Sequence, residues 1–321
     1  EPYSPTFYKT NSLYAADLGI TVNPDAHIIM APNIGSYVGG DITAGTLVSM
    51  IWNRPEFSLF IDLGTNGELV FGNEDFLMSC ACSAGPAFEG GDISCGMRAT
   101  DGAIEACTID AETMEPSFHV IGKEGTKPTG ICGSGIIDLI AELFLEGWID
   151  IRGKLSPEKS PLIQERDNQL CVEYAPGLYF YQKDIDEFIR TKSAAHTMVE
   201  IMLRESGLDL NQADRFYVAV AFGKHVSKES AITIGMYPDM DRDHIINAGN
   251  SSLEGAQKLL LNRSLLTDID QILEEMVYIQ FAEVEDFLEL MVAAQALPHT
   301  DYKRYPTVME KLKERQKDIK L

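Results

Sequence analysis

The segment Ser58-Leu-Phe-Ile-Asp-Leu-Gly-Thr-Asn-Gly-Glu-Leu-Val-Phe-Gly72 limits the folds open to this chain more than any other. Leu59 to Leu63 is an apolar run broken only by Asp62. It reads as a buried strand, with Glu68-Leu-Val-Phe71 as its return. Between them stands Gly64-Thr-Asn-Gly67, and Asn-Gly is a strong hairpin signal because both residues accept positive φ. Asp62 is a carboxylate inside an apolar strand, which costs free energy unless it is paired or metal-bound. The turn is small and polar, so its N–H groups can converge on an anion. That combination suits a Mg²⁺-nucleotide phosphate, with amides for the oxygens and a carboxylate for the metal or its water. A hairpin whose Asp caps its own turn fits the same residues equally well.

Elsewhere, strands and helices alternate, which makes the class α/β. Ala26 to Met30 is a short strand candidate. Asp41 or Thr43 is placed to cap a helix reaching about Trp52, stopped by Asn53-Arg-Pro55. Phe76 to Cys82 reads as a third strand, followed by the irregular Ser83-Ala-Gly-Pro-Ala-Phe-Glu-Gly-Gly91. Gly130-Ile-Cys-Gly-Ser-Gly135 opens a helix expected over Ile136 to Glu146. Residues 152–178 are polar and turn-rich, an expected surface excursion. A long helix fits Lys183 to Ser206, and Arg215 to Phe222 is apolar enough for a strand buried on both faces. Further helices fit Ser251 to Asn262 and Glu283 to Ala296, with Val277 to Gln280 a strand between them. The charged stretch from Tyr302 is expected to be a solvated final helix.

With 321 residues the chain has material for one large or two ordinary domains, and no apolar run is long enough to span a bilayer. A formal net charge of -23 argues against nucleic acid and anionic membranes as partners. The start, Glu1-Pro-Tyr-Ser-Pro, lacks the basic and apolar regions of a signal peptide and an initiator Met, so a fragment of a longer protein is expected. None of the six cysteines, Cys80, Cys82, Cys95, Cys107, Cys132 and Cys171, forms a Cys-x-x-Cys pair. They read as thiols of a reducing compartment, which points to a cytoplasmic protein.

The order of motifs adds a resemblance. Gly39-Gly-Asp-Ile-Thr-Ala-Gly45, the Asp62 hairpin, the strand ending Ala221-Phe-Gly223, and Asn247-Ala-Gly-Asn-Ser-Ser-Leu-Glu-Gly-Ala-Gln257 follow one another. This resembles the series of phosphate, connecting and adenosine elements in sugar kinases, heat-shock ATPases and actin. Asp62-Leu-Gly-Thr-Asn-Gly-Glu68, the 83–90 loop, Ser94-Cys-Gly-Met-Arg98 and Gly130 to Gly135 look more closely like the C-terminal actin-like domain of reductive activators of corrinoid proteins. The resemblance runs from about residue 15 to 297. It implies an actin-like, ribonuclease H-like fold of mixed sheets flanked by helices. Residues 1–57 would complete a first subdomain with its connecting helix, 58–297 would form the second subdomain, and 298–321 a charged tail.

The resemblance also implies function. Such an activator uses ATP and Mg to drive an electron from a [2Fe-2S] domain, missing from this chain, to a Co(II) corrinoid protein, in the service of anaerobic methyl transfer. It implies a homodimer. Carried over residue by residue, Asp62 would position Mg²⁺ or the attacking water, and Asp41 would stand near that water. Gly64, Thr65, Asn66 and Gly67 would hold phosphate oxygens, with Gly223, Gly249 and Asn250 approaching the nucleotide. Asp41 fits an N-cap equally, and Gly249 and Asn250 fit a helix start capped by Ser251. Gly133, Ser134 and Gly135 suit either an anion site or close packing. His225 and Glu89 are open. The family's adenosine loop carries a Gly-Gly pair where this chain has Ala219-Val-Ala-Phe-Gly223, and its first phosphate loop has no counterpart here. Two readings therefore stand: an ATP-linked activator domain, inactive in isolation, and a dimerisation and docking module of the same fold without nucleotide chemistry.

Overall fold

The computed structural model describes residues 7–64, 66–82, 85–208, 212–220, 226–280 and 284–316. An arm carries the short strands β1 (Leu13–Tyr14) and β2 (His27–Ile28), paired antiparallel, and leads to helix α1 (Gly40–Ser49). Next come β3 (Ser58–Leu63), β4 (Gly67–Gly72) and β5 (Leu77–Cys82). An insertion follows with β6 (Ala103–Ile109), β7 (Pro116–Val120), β8 (Gly130–Ile131), α2 (Gly133–Leu145), β9 (Ile163–Arg166), β10 (Gln169–Ala175) and β11 (Leu178–Tyr181). The chain continues through α3 (Gln182–Ser206), β12 (Arg215–Val220), α4 (Lys228–Thr233), β13 (Ile245–Asn247) and α5 (Ser251–Leu261). It closes with α6 (Leu265–Glu275), β14 (Met276–Tyr278), α7 (Phe287–Ala293) and α8 (Pro306–Arg315).

The central sheet has the order β13-β12-β3-β4-β5-β14. The β3-β4-β5 meander is antiparallel, and β12, β13 and β14 join it in parallel. Strand alternation divides the interior in two. Leu59, Ile61, Leu63, Leu69, Phe71, Phe216 and Val218 face a core shared with α2 and α3. Phe60, Val70, Tyr217 and Ala219 face a second core with Ile42 and Leu47 of α1 and Ile269 and Ile272 of α6. A strand buried on both faces reads as the continuous apolar run seen in the sequence.

Several expectations change. Gly39, not Asp41 or Thr43, is the N-cap of α1, and Met50 ends the helix in a left-handed conformation with φ of 60°. The 152–178 excursion is largely ordered: β9, β10 and β11 form an antiparallel sheet. The last helix is not solvated all round, because Val308, Met309 and Leu312 enter the first core. Gln316 Nε2 caps the C-terminal end of α2 by donating to the carbonyls of Phe144 (2.8 Å) and Leu145 (2.9 Å). Among the described residues, no helix is long and apolar enough to cross a membrane.

Candidate functional site

The β3-β4 hairpin places two acids opposite each other. Its register pairs Leu63 with Gly67 and Asp62 with Glu68. On the outer flanks, Ala219 of β12 pairs with Asp62 and Ala81 of β5 with Glu68. Four strands thus contribute one row, Ala219-Asp62-Glu68-Ala81, on the face that α1 covers. Two residues further along, the same face carries Phe60, Val70 and Tyr217, deep in the second core. The acids therefore sit where the apolar layer stops, half-buried, between methyl groups too small to cover them.

Asp41 completes the cluster from the first turn of α1, where its carboxylate accepts from the Ile42 N–H at 3.0 Å. Burial, then the charge of Asp41, raises the Asp62 carboxyl to about 6. Burial, Asp41 and Asp62, in that order, raise Glu68 to about 8. Both carboxyls are thus held above the ordinary carboxylate range, as expected for acids that are half-buried and forced together.

The turn between the strands is tight. The Gly64 N–H donates to the Asn66 carbonyl at 2.9 Å, and Asn66 is exposed. Gly67 is already a strand residue, packed against α3: a Cβ there would stand 2.8 Å from Met198 Cε, the movable end of a flexible side chain. Thr65, Gly223 and His225 lie outside the described residues.

Gly249 and Asn250 open α5. Gly249 has φ of 59° and donates to Asn247 Oδ1 at 2.8 Å. Asn250, rather than Ser251, is the N-cap, accepting from the Leu253 N–H at 2.9 Å. α5 approaches α1 closely at Gly255, where a Cβ would be 2.6 Å from the Ala44 carbonyl oxygen; on Gly45 a Cβ would meet the Phe60 ring of β3 at 2.5 Å, with Ser251 Oγ of α5 at 3.0 Å. The helix starts carrying Asp41 and Asn250 are thereby joined through the α1–α5 contact.

Gly133, Ser134 and Gly135 are buried within α2, and a Cβ on Gly135 would meet the Ile104 carbonyl at 2.4 Å. Close packing on β6 accounts for Gly135, and all three residues are buried away from any anion. Cys80, Cys107, Cys132 and Cys171 are buried, Cys82 is partly buried and Cys95 is exposed; all are free thiols.

Glu68 was not singled out in the sequence as a site residue. The signal was present, since the pairing of Leu63 with Gly67 fixes Asp62 opposite Glu68, but it depends on register rather than composition. Among the described residues, no three His, Cys, Asp or Glu stand close enough to hold a metal ion. The donor set suits a Mg²⁺ ion held by one or two carboxylates and completed by a ligand's phosphates, and not a site built wholly from protein.

Comparison with known proteins gives the lineage. Residues 56–309 match the family model described as the C-terminal domain of RACo, the ASKHA domain, and residues 1–54 match the RACo middle region. The chain is 31% identical over 294 residues to the corrinoid activation enzyme RamQ of Eubacterium limosum, covering 87% of this chain and 49% of that protein. It is 28% identical over 305 residues to the [Co(II) methylated amine-specific corrinoid protein] reductase of Methanosarcina barkeri, covering 87% of this chain and 54% of that protein. A solved structure, the reductive activator for corrinoid,iron-sulfur protein, superposes with a TM-score of 0.88 at 40% identity, over 96% of this chain and 50% of that one. The chain spans about half the length of the relatives it matches.

Proposed function

The chain belongs to the RACo family, whose C-terminal ASKHA domain it carries, and from that premise we propose that it is the nucleotide-handling domain of an ATP-dependent activator that returns Co(II) corrinoid proteins to Co(I). The electron would come from an iron–sulfur domain outside this chain. The partner is a corrinoid protein of anaerobic methyl transfer, the setting is the cytoplasm, and the working form is a homodimer. The names of the two curated relatives support the corrinoid role.

The observation that carries the nucleotide reading is the pairing of Asp62 with Glu68 beside a backbone turn, with Asp41 facing both. Among the described residues no cation offsets the charge at Asp62 and Glu68, and such acids favour a cationic ligand. Asp62 is the group to hold Mg²⁺ or its water, and the exposed Asn66 side of the turn, rather than the Gly64 N–H already given to the Asn66 carbonyl, is the place for phosphate oxygens. Mg²⁺, when bound, neutralises charge on those phosphates. Asp41, one helix turn before the α1–α5 contact, is placed to orient a water. Glu68, its carboxyl raised beside Asp62, favours retention of a proton by the pair before the ligand arrives.

Calorimetric titration of the protein in its full natural length with Mg-ATP tests this. Micromolar binding in the wild type, weakened tenfold or more by Asp62→Asn, is the expected result. One observation favours the second reading, a dimerisation and docking module: β12 continues as a regular strand through Ala219 and Val220, where the resemblance to actin-like ATPases leads one to expect a glycine pair. Absence of any Mg-ATP heat, with corrinoid-protein binding intact, would establish that module instead.

A further inference from the structure

One face of α3 holds the segment that joins α7 to α8. Lys192, His196 and Glu200 are spaced four residues apart, so they follow one another along a single side of the helix. Each holds a successive part of residues 294–304. The Lys192 ammonium donates to the carbonyls of Ala294, Ala296 and Pro298. The ring of His196 lies 4.8 Å from that of His299, tilted by 31°. Glu200 Oε1 accepts from Arg304 Nη2 at 3.0 Å. The segment is a strap fastened along α3, with one tie elsewhere, from the Leu297 N–H to the Ile151 carbonyl at 2.8 Å.

His299 is the member of this strap that a proton can undo. It is buried, and its Nδ1 accepts the Asp301 N–H at 2.9 Å, which closes the bend leading to Arg304. An imidazole nitrogen accepts only while it carries no proton, and both nitrogens of an imidazolium are donors. A proton on Nδ1 would set N–H against N–H at hydrogen-bond distance. The charged groups facing the ring are the Arg304 guanidinium and the Lys192 ammonium, which disfavour imidazolium, and the Glu200 and Asp301 carboxylates, which favour it. Glu200 is already committed, since the hydrogen bond from Arg304 holds its carboxyl below the ordinary Glu range. Burial first, then Arg304 and Lys192, lowers the His299 ring to about 4. Burial also holds His196, which donates to the Gly235 carbonyl, well below the ordinary His range.

We propose that His299 is an acid-operated catch: its protonation frees residues 294–304 from α3 as one unit while the central sheet stays folded. Solvent supplies the proton, and Nδ1 takes it as the Asp301 N–H departs. A ring lowered in the closed form binds protons better once the strap is open, so closure is favoured at neutral pH and weakens as pH falls from the ordinary His range toward about 4. The sheet is spared because its second core, with α1 and α6, contains no residue of the strap.

The test is hydrogen exchange of the full-length protein at pH 7 and pH 5, corrected for intrinsic rates, on the wild type and on His299→Asn and His299→Gln. Protection of 294–304 in the wild type should fall about tenfold or more relative to β3–β5, the scale set by a ring that titrates near 4 when closed and near 6.5 when open. His299→Asn keeps an acceptor for the Asp301 N–H but takes no proton, so its strap should be equally protected at both pH values. His299→Gln misplaces the acceptor and should leave the strap open at both. Equal protection of the wild-type strap at both pH values would overturn the proposal. So would a His299→Asn strap that loses protection as the wild type does, or a wild-type strap and sheet that lose it together. Should the variants fail to fold, the wild-type ring decides through its Cε1–H NMR signal: titration at the ordinary His value with the strap still protected would overturn the catch.

Discussion

Asp62 and Glu68 face each other across the β3-β4 ladder, one residue outside the pair that closes the turn. Burial, then the charge of Asp41, raises both carboxyls, Asp62 to about 6 and Glu68 to about 8, with Asp62 adding to the rise at Glu68. The fold thus spends stability to keep two acids side by side, a cost usually met at working sites.

The pH dependence follows from Glu68. A carboxyl whose folded pKa lies above its unfolded value leaves the native state holding more protons than the unfolded state between the two values. The penalty is absent below the ordinary Glu range, grows as pH rises through it, and is complete above about 8. Urea midpoints measured from pH 5 to 9 should therefore fall as pH rises. Glu68→Gln should flatten that slope and stabilise the protein at pH 9 by on the order of 2 kcal/mol, after allowance for partial exposure. An unchanged slope would show that the Glu68 carboxyl is not raised in the native state.

The contact between α1 and α5 makes a second prediction. Replacing a mid-helix glycine by alanine ordinarily stabilises by about 1 kcal/mol. At Gly255 the new methyl would stand 2.6 Å from the Ala44 carbonyl oxygen, a backbone atom that cannot rotate away. Gly255→Ala should instead destabilise by about 1–3 kcal/mol, the scale of overpacking, read as a lower melting temperature.

Lys192 is fully buried, and its ammonium donates to the carbonyls of Ala294 (2.9 Å), Ala296 (2.8 Å) and Pro298 (2.5 Å). Burial pushes its pKa down to about 7, while three carbonyl acceptors oppose that by favouring the charged form. Lys192→Met keeps the length of the stem but orphans three acceptors. A loss of about 3 kcal/mol in chemical denaturation is expected, with hydrogen exchange rising first in the 294–298 segment.

Asp184 does two jobs at once. It caps α3 by accepting from the Tyr181 N–H at 2.8 Å and anchors Ser94 through its other oxygen. Asp184→Ala should cost more than the roughly 1 kcal/mol of an ordinary cap. It should also release the 85–96 loop, which proteolysis within that loop would report.

Much of this was legible in the residues. The hairpin followed from Asn66-Gly67 between apolar runs, and the strand Arg215 to Val220 from its unbroken apolarity. Gly207 marked the end of α3. The family followed from the order of motifs, with the matched model spanning 56–309. Other features were legible only once strands were paired. The β9-β10 hairpin turns on Asp167-Asn168, with φ of 51° and 60°, a two-residue signal hidden inside a polar stretch. Helix α6 was missed although Leu265, Ile269 and Ile272 repeat with helical period. Glu89 could not be placed, because its neighbour Gly64 is 25 residues earlier in the chain and only the folded loop brings them together.

Gly255 seats α5 on the backbone of α1 at Ala44 without a cushion of side chains between them. Helices seated that way have little freedom to slide and keep mainly the freedom to pivot. A ligand drawn to Asp41 or to the start of α5 would therefore turn both helices about one shared fulcrum, and the arm fastened to α1 through the Thr43 hydroxyl and the Pro32 carbonyl would swing with them.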